Sequence, residues 1–147
     1  MTATVRDMIR KKGSEVVTVS QDIPVYEALK LMKGKEIGAL IVTDTTGKVV
    51  GIISDRDCTQ KIILEKRSAK TTSVGKIMTK ELISTSPDKT AEECLTIMLE
   101  KRVRHLPVFD GNEMVGLVSI GDAVKSIVKK QYVEIKHLNN YIAGTYV

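Results

Sequence analysis

Ser54 and Asp57 stand three residues apart, and Ser119 and Asp122 repeat the pair 65 positions later. A carboxylate accepts hydrogen bonds from both vicinal hydroxyls of a sugar, and bonds to an ionised acceptor are among the stronger ones. The serine adds a hydroxyl that reaches a sugar or a phosphate. The same S-x-x-D spacing also suits a helix start, where the serine caps and the aspartate meets exposed N–H groups. On the residues alone both chemistries stand, sugar recognition and capping. Nucleophilic catalysis is not suggested, because His105 and His137 have no serine or cysteine beside them in a nucleophile setting. Cys58 and Cys94 have neither C-x-x-C nor metal-ligand spacing, so no metal site is expected and both read as buried, reduced thiols.

The pairs belong to a longer repeat, which has to be found before the fold is assigned. Residues 103–122 read V-R-H-L-P-V-F-D-G-N-E-M-V-G-L-V-S-I-G-D. Residues 37–57 say nearly the same: I-G-A-L-I-V-T-D, a T-T-G-K turn, V-V-G-I-I-S, then Asp57. Gly51 matches Gly116 at 65, while Asp44 matches Asp110 at 66 because the first turn is one residue longer.

The elements that must hold these residues follow from periodicity. The runs at 39–42 and 49–53 are strand-length and continuously apolar, as strands buried on both faces are. Residues 16–19 are β-branched and predict a short strand, and 83–86 match 17–20 at an offset of 66. Asp22 and Pro24 signal a helix start, and Val25, Ala28, Leu29 and Met32 make its buried stripe. Thr90 is the cap candidate for the matching helix, with Ala91, Cys94, Leu95 and Met98 on one face. Asp57 opens a helix carrying Cys58, Ile62 and Ile63, and Val5, Met8 and Ile9 are echoed by Val74, Ile77 and Met78. The polar stretch 67–73 reads as a linker. Each half is thus β-α-β-β-α, an α/β (α+β) class with two units about a pseudo-twofold axis. The expected boundaries are 1–67, 68–130 and a helical tail, 131–147. That tail carries Val133, Leu138, Tyr141 and Ile142, ends near Gly144, and covers exposed core or meets a second subunit.

Composition narrows the functions. The chain has 147 residues, 42% of them apolar, enough for a sizeable core. Aromatics are 3%, which argues against base-stacking platforms for single-stranded nucleic acid. A net charge of +5 is spread rather than blocked, so anion binding is permitted but not demanded. The opening M-T-A-T-V-R-D is no signal peptide, and no apolar run nears the ~18 residues of a membrane span. A soluble, cytoplasmic protein is expected. The alternative function is a nucleic-acid-binding or structural interaction protein using its basic surface.

The doubled G-h-h-S-x-x-D after a β-turn-β pair, with an A/C-L-x-h-M helix before it, resembles the cystathionine-β-synthase (CBS) domain. Two copies in tandem resemble the CBS pair, or Bateman module, over residues 5–130. Pro24 departs from symmetry, with Thr90 at its place in the second copy. S-D-R-D at 54–57 is also similar to the regulatory insert of inosine-monophosphate dehydrogenase, but that enzyme's barrel needs on the order of 200 residues or more. The resemblance implies a non-catalytic sensor of adenine nucleotide. AMP, ADP, ATP or S-adenosylmethionine would bind in clefts between the halves, in a homodimer read by an effector protein. The implied preferred site holds Asp122 on the ribose, Ser119, Arg104 and His105 toward phosphate, and Pro107, closed by Val17 and Thr18. Arg104 and His105 stand where the first half has Gly38 and Ala39, so charge favours this cleft. The second site holds Asp57, Ser54, Arg56, Ile37, Gly38 and Ala39, faced by Ile83 and Ser84. No membrane partner and no catalytic cofactor are implied.

Overall fold

The two apolar runs of the first repeat pair as antiparallel strands in the computed structural model, which describes residues 2–142. They are β2 (Ala39–Thr43) and β3 (Val49–Ser54). β1 (Thr18–Ser20) runs parallel to β2 on its other side, giving the order β1-β2-β3. α2 (Val25–Lys35) makes the crossover between them and buries Val25, Ala28 and Met32 against Leu40, Val42 and Ile53. Each such buried aliphatic side chain contributes ~1.5–3 kcal/mol relative to exposure. The turn between β2 and β3 is fixed by the Asp44 carboxylate, which accepts from the Thr46 and Lys48 N–H groups at 2.9 and 3.0 Å.

α2 does not start as its sequence signals suggest. Pro24 is the N-cap and offers no side-chain bond, while Asp22 lies outside with its N–H on the Ser20 hydroxyl. The exposed N–H groups of the first turn are met instead from 69–72: Val25 donates to the Thr72 carbonyl and Tyr26 to that of Ala69, at 2.9 and 3.0 Å. The stretch read as a linker is therefore folded onto α2. Asp57 likewise sits inside the first turn of α3 (Asp55–Cys58), whose cap is Ser54. A π-helical turn, Thr59–Ile63, follows and breaks the 3.6-residue register. Ile62 stays buried, but Ile63 is 69% exposed.

The second repeat builds β4 (His105–Asp110) and β5 (Glu113–Ser119), antiparallel, with α5 (Ala91–Lys101) on the hairpin. Thr90 caps α5 in a reciprocal box with Glu93, as its position predicts. Residues 83–86 do not form a full strand. Thr85 alone bridges Val108, in parallel, 66 positions on from the Val19–Val42 pair. The reason is chemical: Gln21 extends β1 by donating to the Thr43 carbonyl, and its counterpart Pro87 has no N–H to give.

The repeats exchange their leading segments. α1 (Val5–Lys12) docks on the start of α5: Val5 and Arg6 donate to the Lys89 and Pro87 carbonyls, and Ala91 donates back to Ala3. α4 (Val74–Ile77) does the same to α2. Val74 and Gly75 donate to Ile23 and Gln21, and Val25 donates back to Thr72. The compact units are consequently Glu15–Leu82, and Met1–Ser14 with Ile83–Val147. They differ from the contiguous division at 67/68 because each leading helix belongs to the other repeat's core. Gly51 and Gly116 make room for these segments. A Cβ on Gly51 would lie 2.7 Å from Met78 Sδ and 2.8 Å from the Thr79 carbonyl, and one on Gly116 would lie 2.8 Å from Ile9 Cδ1.

The expected helical tail continues the helix that begins at Ile120. α6 (Ile120–Ile142) is one continuous helix of 23 residues, and the expected end at Gly144 lies outside the described residues. Val133, Leu138, Tyr141 and Ile142 are 44–74% exposed, so they do not cover core within their own unit. No helix among the described residues is long and apolar enough to cross a membrane.

Candidate ligand-binding site

Both S-x-x-D motifs fold as reciprocal caps. Ser54 ends β3 in extended conformation, and its hydroxyl accepts the Asp57 N–H at 3.1 Å. Asp57 Oδ2 in return accepts the Ser54 N–H and hydroxyl, at 3.0 and 3.1 Å. Ser119 accepts the Asp122 N–H at 3.1 Å, and Asp122 Oδ2 accepts the Ser119 N–H at 2.8 Å. Capping is thus a real role of both aspartates, and it aims each carboxylate at a fixed place.

The two carboxylates differ in what remains of them. Asp57 Oδ1 accepts the Thr79 hydroxyl at 3.2 Å and lies 3.4 Å from Lys61 Nζ, so both of its oxygens are engaged. At Asp122, Lys12 Nζ binds the same Oδ2 at 2.6 Å and also donates to the Leu117 carbonyl at 3.0 Å. Oδ1 of Asp122 accepts none of these bonds. The Asp122 side chain is 20% exposed. Burial alone would push its pKa up, but the Lys12 ammonium and the Ser119 N–H outweigh that and hold the carboxyl below its usual range.

Arg104, His105, Ser119 and Asp122 are brought together within one unit. His105 pairs in register with Ser119, and the Ile120 N–H at the start of α6 donates to the Arg104 carbonyl at 2.8 Å. Arg104 is exposed and His105 half-buried. Pro107 lies two residues deeper in β4, buried opposite Leu117, with its carbonyl taken by the Thr85 N–H. Gly38, Ala39, Ser54 and Asp57 repeat the arrangement: Ala39 pairs with Ser54, and the Asp55 N–H donates to Gly38 at 3.0 Å. Arg56 is exposed on α3, and the Ile37 N–H closes the end of α2 on Met32. Val17 and Thr18 belong to the Glu15–Leu82 unit, and Ile83 and Ser84 to the other, so each expected set divides its members between units.

Sequence reasoning missed Lys12, Lys61 and Thr79. A signal existed in the repeat offsets. Lys12 corresponds to Glu81 and Lys61 to Ser126, so neither cation has a like-charged counterpart. Such mismatches mark where two copies of one motif have diverged in charge. Among the described residues no group of three or more histidine, cysteine or acidic side chains is placed to hold a metal.

Comparison with known proteins accounts for the doubling. The family model described as CBS domain matches twice, at residues 5–64 and 74–129. CBS domain-containing protein CBSX3, mitochondrial, of Arabidopsis thaliana is 38% identical over 97% of this chain and 73% of its own length. Other curated relatives from that plant are longer, and the chain spans about a quarter of their length (24% and 23% for two of them). A solved CBS-domain protein of Burkholderia ambifaria MC40-6 superposes with a TM-score of 0.83 at 41% identity, over 88% of this chain and 96% of that one. The CBS domain pair of protein MJ0100, solved with 5′-methylthioadenosine and S-adenosylmethionine, covers 88% of this chain and 99% of its own at TM-score 0.76. At 24% identity it speaks for the fold alone. With two matches that together take in most of its length, this chain belongs to the CBS-domain family and carries two copies of that domain.

Proposed function

We propose that the chain is a non-catalytic regulatory module that binds an adenine nucleotide, AMP, ADP or ATP, at the Ser119–Asp122 helix start. The observation that supports this most is the half-engaged carboxylate of Asp122. Its Oδ2 is fixed by Ser119 and Lys12, which leaves Oδ1 oriented for a ribose diol. Arg104, exposed beside the same helix start, is the cation for phosphate. The Asp57 start is the weaker site, since Lys61 and Thr79 already compete for its carboxylate. S-adenosylmethionine carries the same ribose diol and is a second ligand to try. Ligand binding would regulate an effector protein only to the extent that it favours one state of the module over another.

A second copy of the chain is the proposed assembly partner. α6 exposes Val128, Ile135 and Ile142 at seven-residue intervals, with Val124 four residues before the first and Leu138 between the last two, the spacing of a helix–helix seam. The buried thiols suit a reducing compartment. The cytoplasm is the setting we propose, although the relative CBSX3 is named mitochondrial.

Calorimetric titration with AMP, ATP and S-adenosylmethionine tests the reading. Removing a charge-assisted ribose contact costs ~1.5–3 kcal/mol, so Asp122→Ala is expected to weaken nucleotide binding about tenfold or more. Asp57→Ala should cost less. Absence of heat with all three ligands at millimolar concentration would discard the nucleotide reading, and an equal or larger loss with Asp57→Ala would move the site to the other helix start.

A further inference from the structure

Within the unit that contains Asp122, α1 and α6 enclose a groove of about 790 Å³. Five lysines line it: Lys11, Lys12, Lys125, Lys129 and Lys130. We propose that this groove, which has Asp122 on its wall, is an anion site that takes a short phosphate chain, such as a nucleotide triphosphate or free tripolyphosphate.

The charges in the groove are unequally matched. Three carboxylates line it, and two are already committed: Asp122 to Lys12 and Ser119, Asp7 to the N–H and hydroxyl of Thr4, both at 3.0 Å. Lys130 pairs with Glu92 at 3.8 Å and donates to the Thr2 hydroxyl at 3.2 Å. Among the described residues Lys11, Lys125 and Lys129 have no carboxylate at ion-pair distance. Lys125 and Lys129 are one turn apart on α6, ~6 Å along its axis, and so offer two cations in a row. Lys11 faces Lys129 from α1, and this repulsion holds the Lys11 ammonium below the ordinary lysine range. Two ammonium groups have donors and no acceptor between them. A bridging oxyanion supplies the acceptors and removes the repulsion. The groove's volume lies within the range of small-molecule sites, and the Ser126 and Thr2 hydroxyls on its wall suit an anion with several oxygens. A chain of phosphates matches three ammonium groups spread along a groove better than a single carboxylate does.

The groove borders the Asp122 site, but its test adds a probe without a ribose and changes residues that the Asp122 reading does not use. The full chain is titrated at low salt with sodium tripolyphosphate, ATP and AMP. Tripolyphosphate is expected to bind one to one, more weakly as salt screens the charges. The double variant Lys125→Gln/Lys129→Gln should lose about tenfold or more of that affinity, from two charge-assisted contacts. Lys35→Gln/Lys48→Gln, on the other unit, carries the same charge change and should leave affinity nearly unaltered; circular dichroism confirms that both variants fold. A fall in ATP affinity in the groove variant with AMP unchanged assigns the groove to a nucleotide's phosphate tail. Loss of tripolyphosphate binding alone assigns it to free polyphosphate. No binding of either polyanion overturns the proposal, as does an equal loss in the remote variant. Tighter binding of a single-stranded RNA, weakened alike by both variants, overturns it as well.

Discussion

Lys12 and Asp122 are 110 residues apart in the chain, and their charged atoms meet at 2.6 Å. The contact ties the end of α1 to the start of α6, and it spends one carboxylate oxygen while leaving the other. The same ammonium holds the Leu117 carbonyl, so a single side chain braces the end of β5 and the first turn of α6 together.

That pairing sets a pH dependence. The folded-state carboxyl of Asp122 titrates below its unfolded value of ~3.9, so its contribution to stability is complete above that pH and is lost as pH falls through the folded value. The gap in melting temperature between the native chain and Asp122→Asn should therefore be steady near neutrality and shrink below about pH 4. A gap that stays constant down to pH 3 would mean that the ion pair contributes nothing.

Alanine at the two matched glycines should have unequal effects. At Gly51 the new methyl meets the Thr79 backbone, which is itself locked to Ile52 by two hydrogen bonds of 2.8 and 3.0 Å. Overpacking of this kind costs ~1–3 kcal/mol. At Gly116 the new methyl meets side chain only, Ile9 Cδ1 at 2.8 Å and Cγ1 at 3.0 Å, which can turn aside more readily than backbone. Urea denaturation should show the larger loss for Gly51→Ala, and the reverse order would refute the account of these positions.

The thiols should be slow to react. Burial, helped by Asp57 and Asp55, pushes the Cys58 thiol up to about 11, and burial raises that of Cys94 as well. The thiolate is the reactive form, and the raised pKa keeps Cys58 almost wholly protonated at pH 8. Alkylation should go to completion only in denaturant; stoichiometric labelling of the native chain within minutes would contradict the burial.

Two helices end on left-handed residues that are not glycine, Glu36 (φ 55) and Arg102 (φ 56), again 66 positions apart. A side chain there carries a steric cost of ~1–2 kcal/mol, partly offset by the greater unfolded-state entropy of glycine. Arg102→Gly is expected to raise the urea midpoint, with a net gain of about 0.5–1 kcal/mol. A lowered midpoint would show that Arg102 contributes contacts worth more than its strain.

The repeat made much of this legible, because offsets of 65 and 66 place the same hairpin and the same helix start twice. Thr90 could be read as a cap from its own neighbours, since Glu93 lies three residues on. What could not be read depends on partners distant in the chain. Pro24 looks like a helix start in need of a cap, and its cap is the backbone of 69–72. Lys12 looks like one more solvated cation in a basic turn until α6 comes beside it. Ile63 fits a helical stripe, and only the π turn reveals why it faces water. The Ser–Asp pairs were visible as motifs, but only coordinates distinguish a carboxylate with both oxygens spoken for from one with an oxygen to spare.

The exchanged leading helices govern how this molecule could be dissected. Cleaving between residues 67 and 68, the natural seam of the sequence, would strip α2 of the carbonyls of Ala69 and Thr72 and strand α1 away from α5. A fragment that keeps one compact unit whole has to be taken from the middle, Glu15–Leu82. Its complement becomes one continuous polypeptide only if the chain is circularly permuted, so the genetic unit that was duplicated and the structural unit that can be excised are different pieces of the same protein.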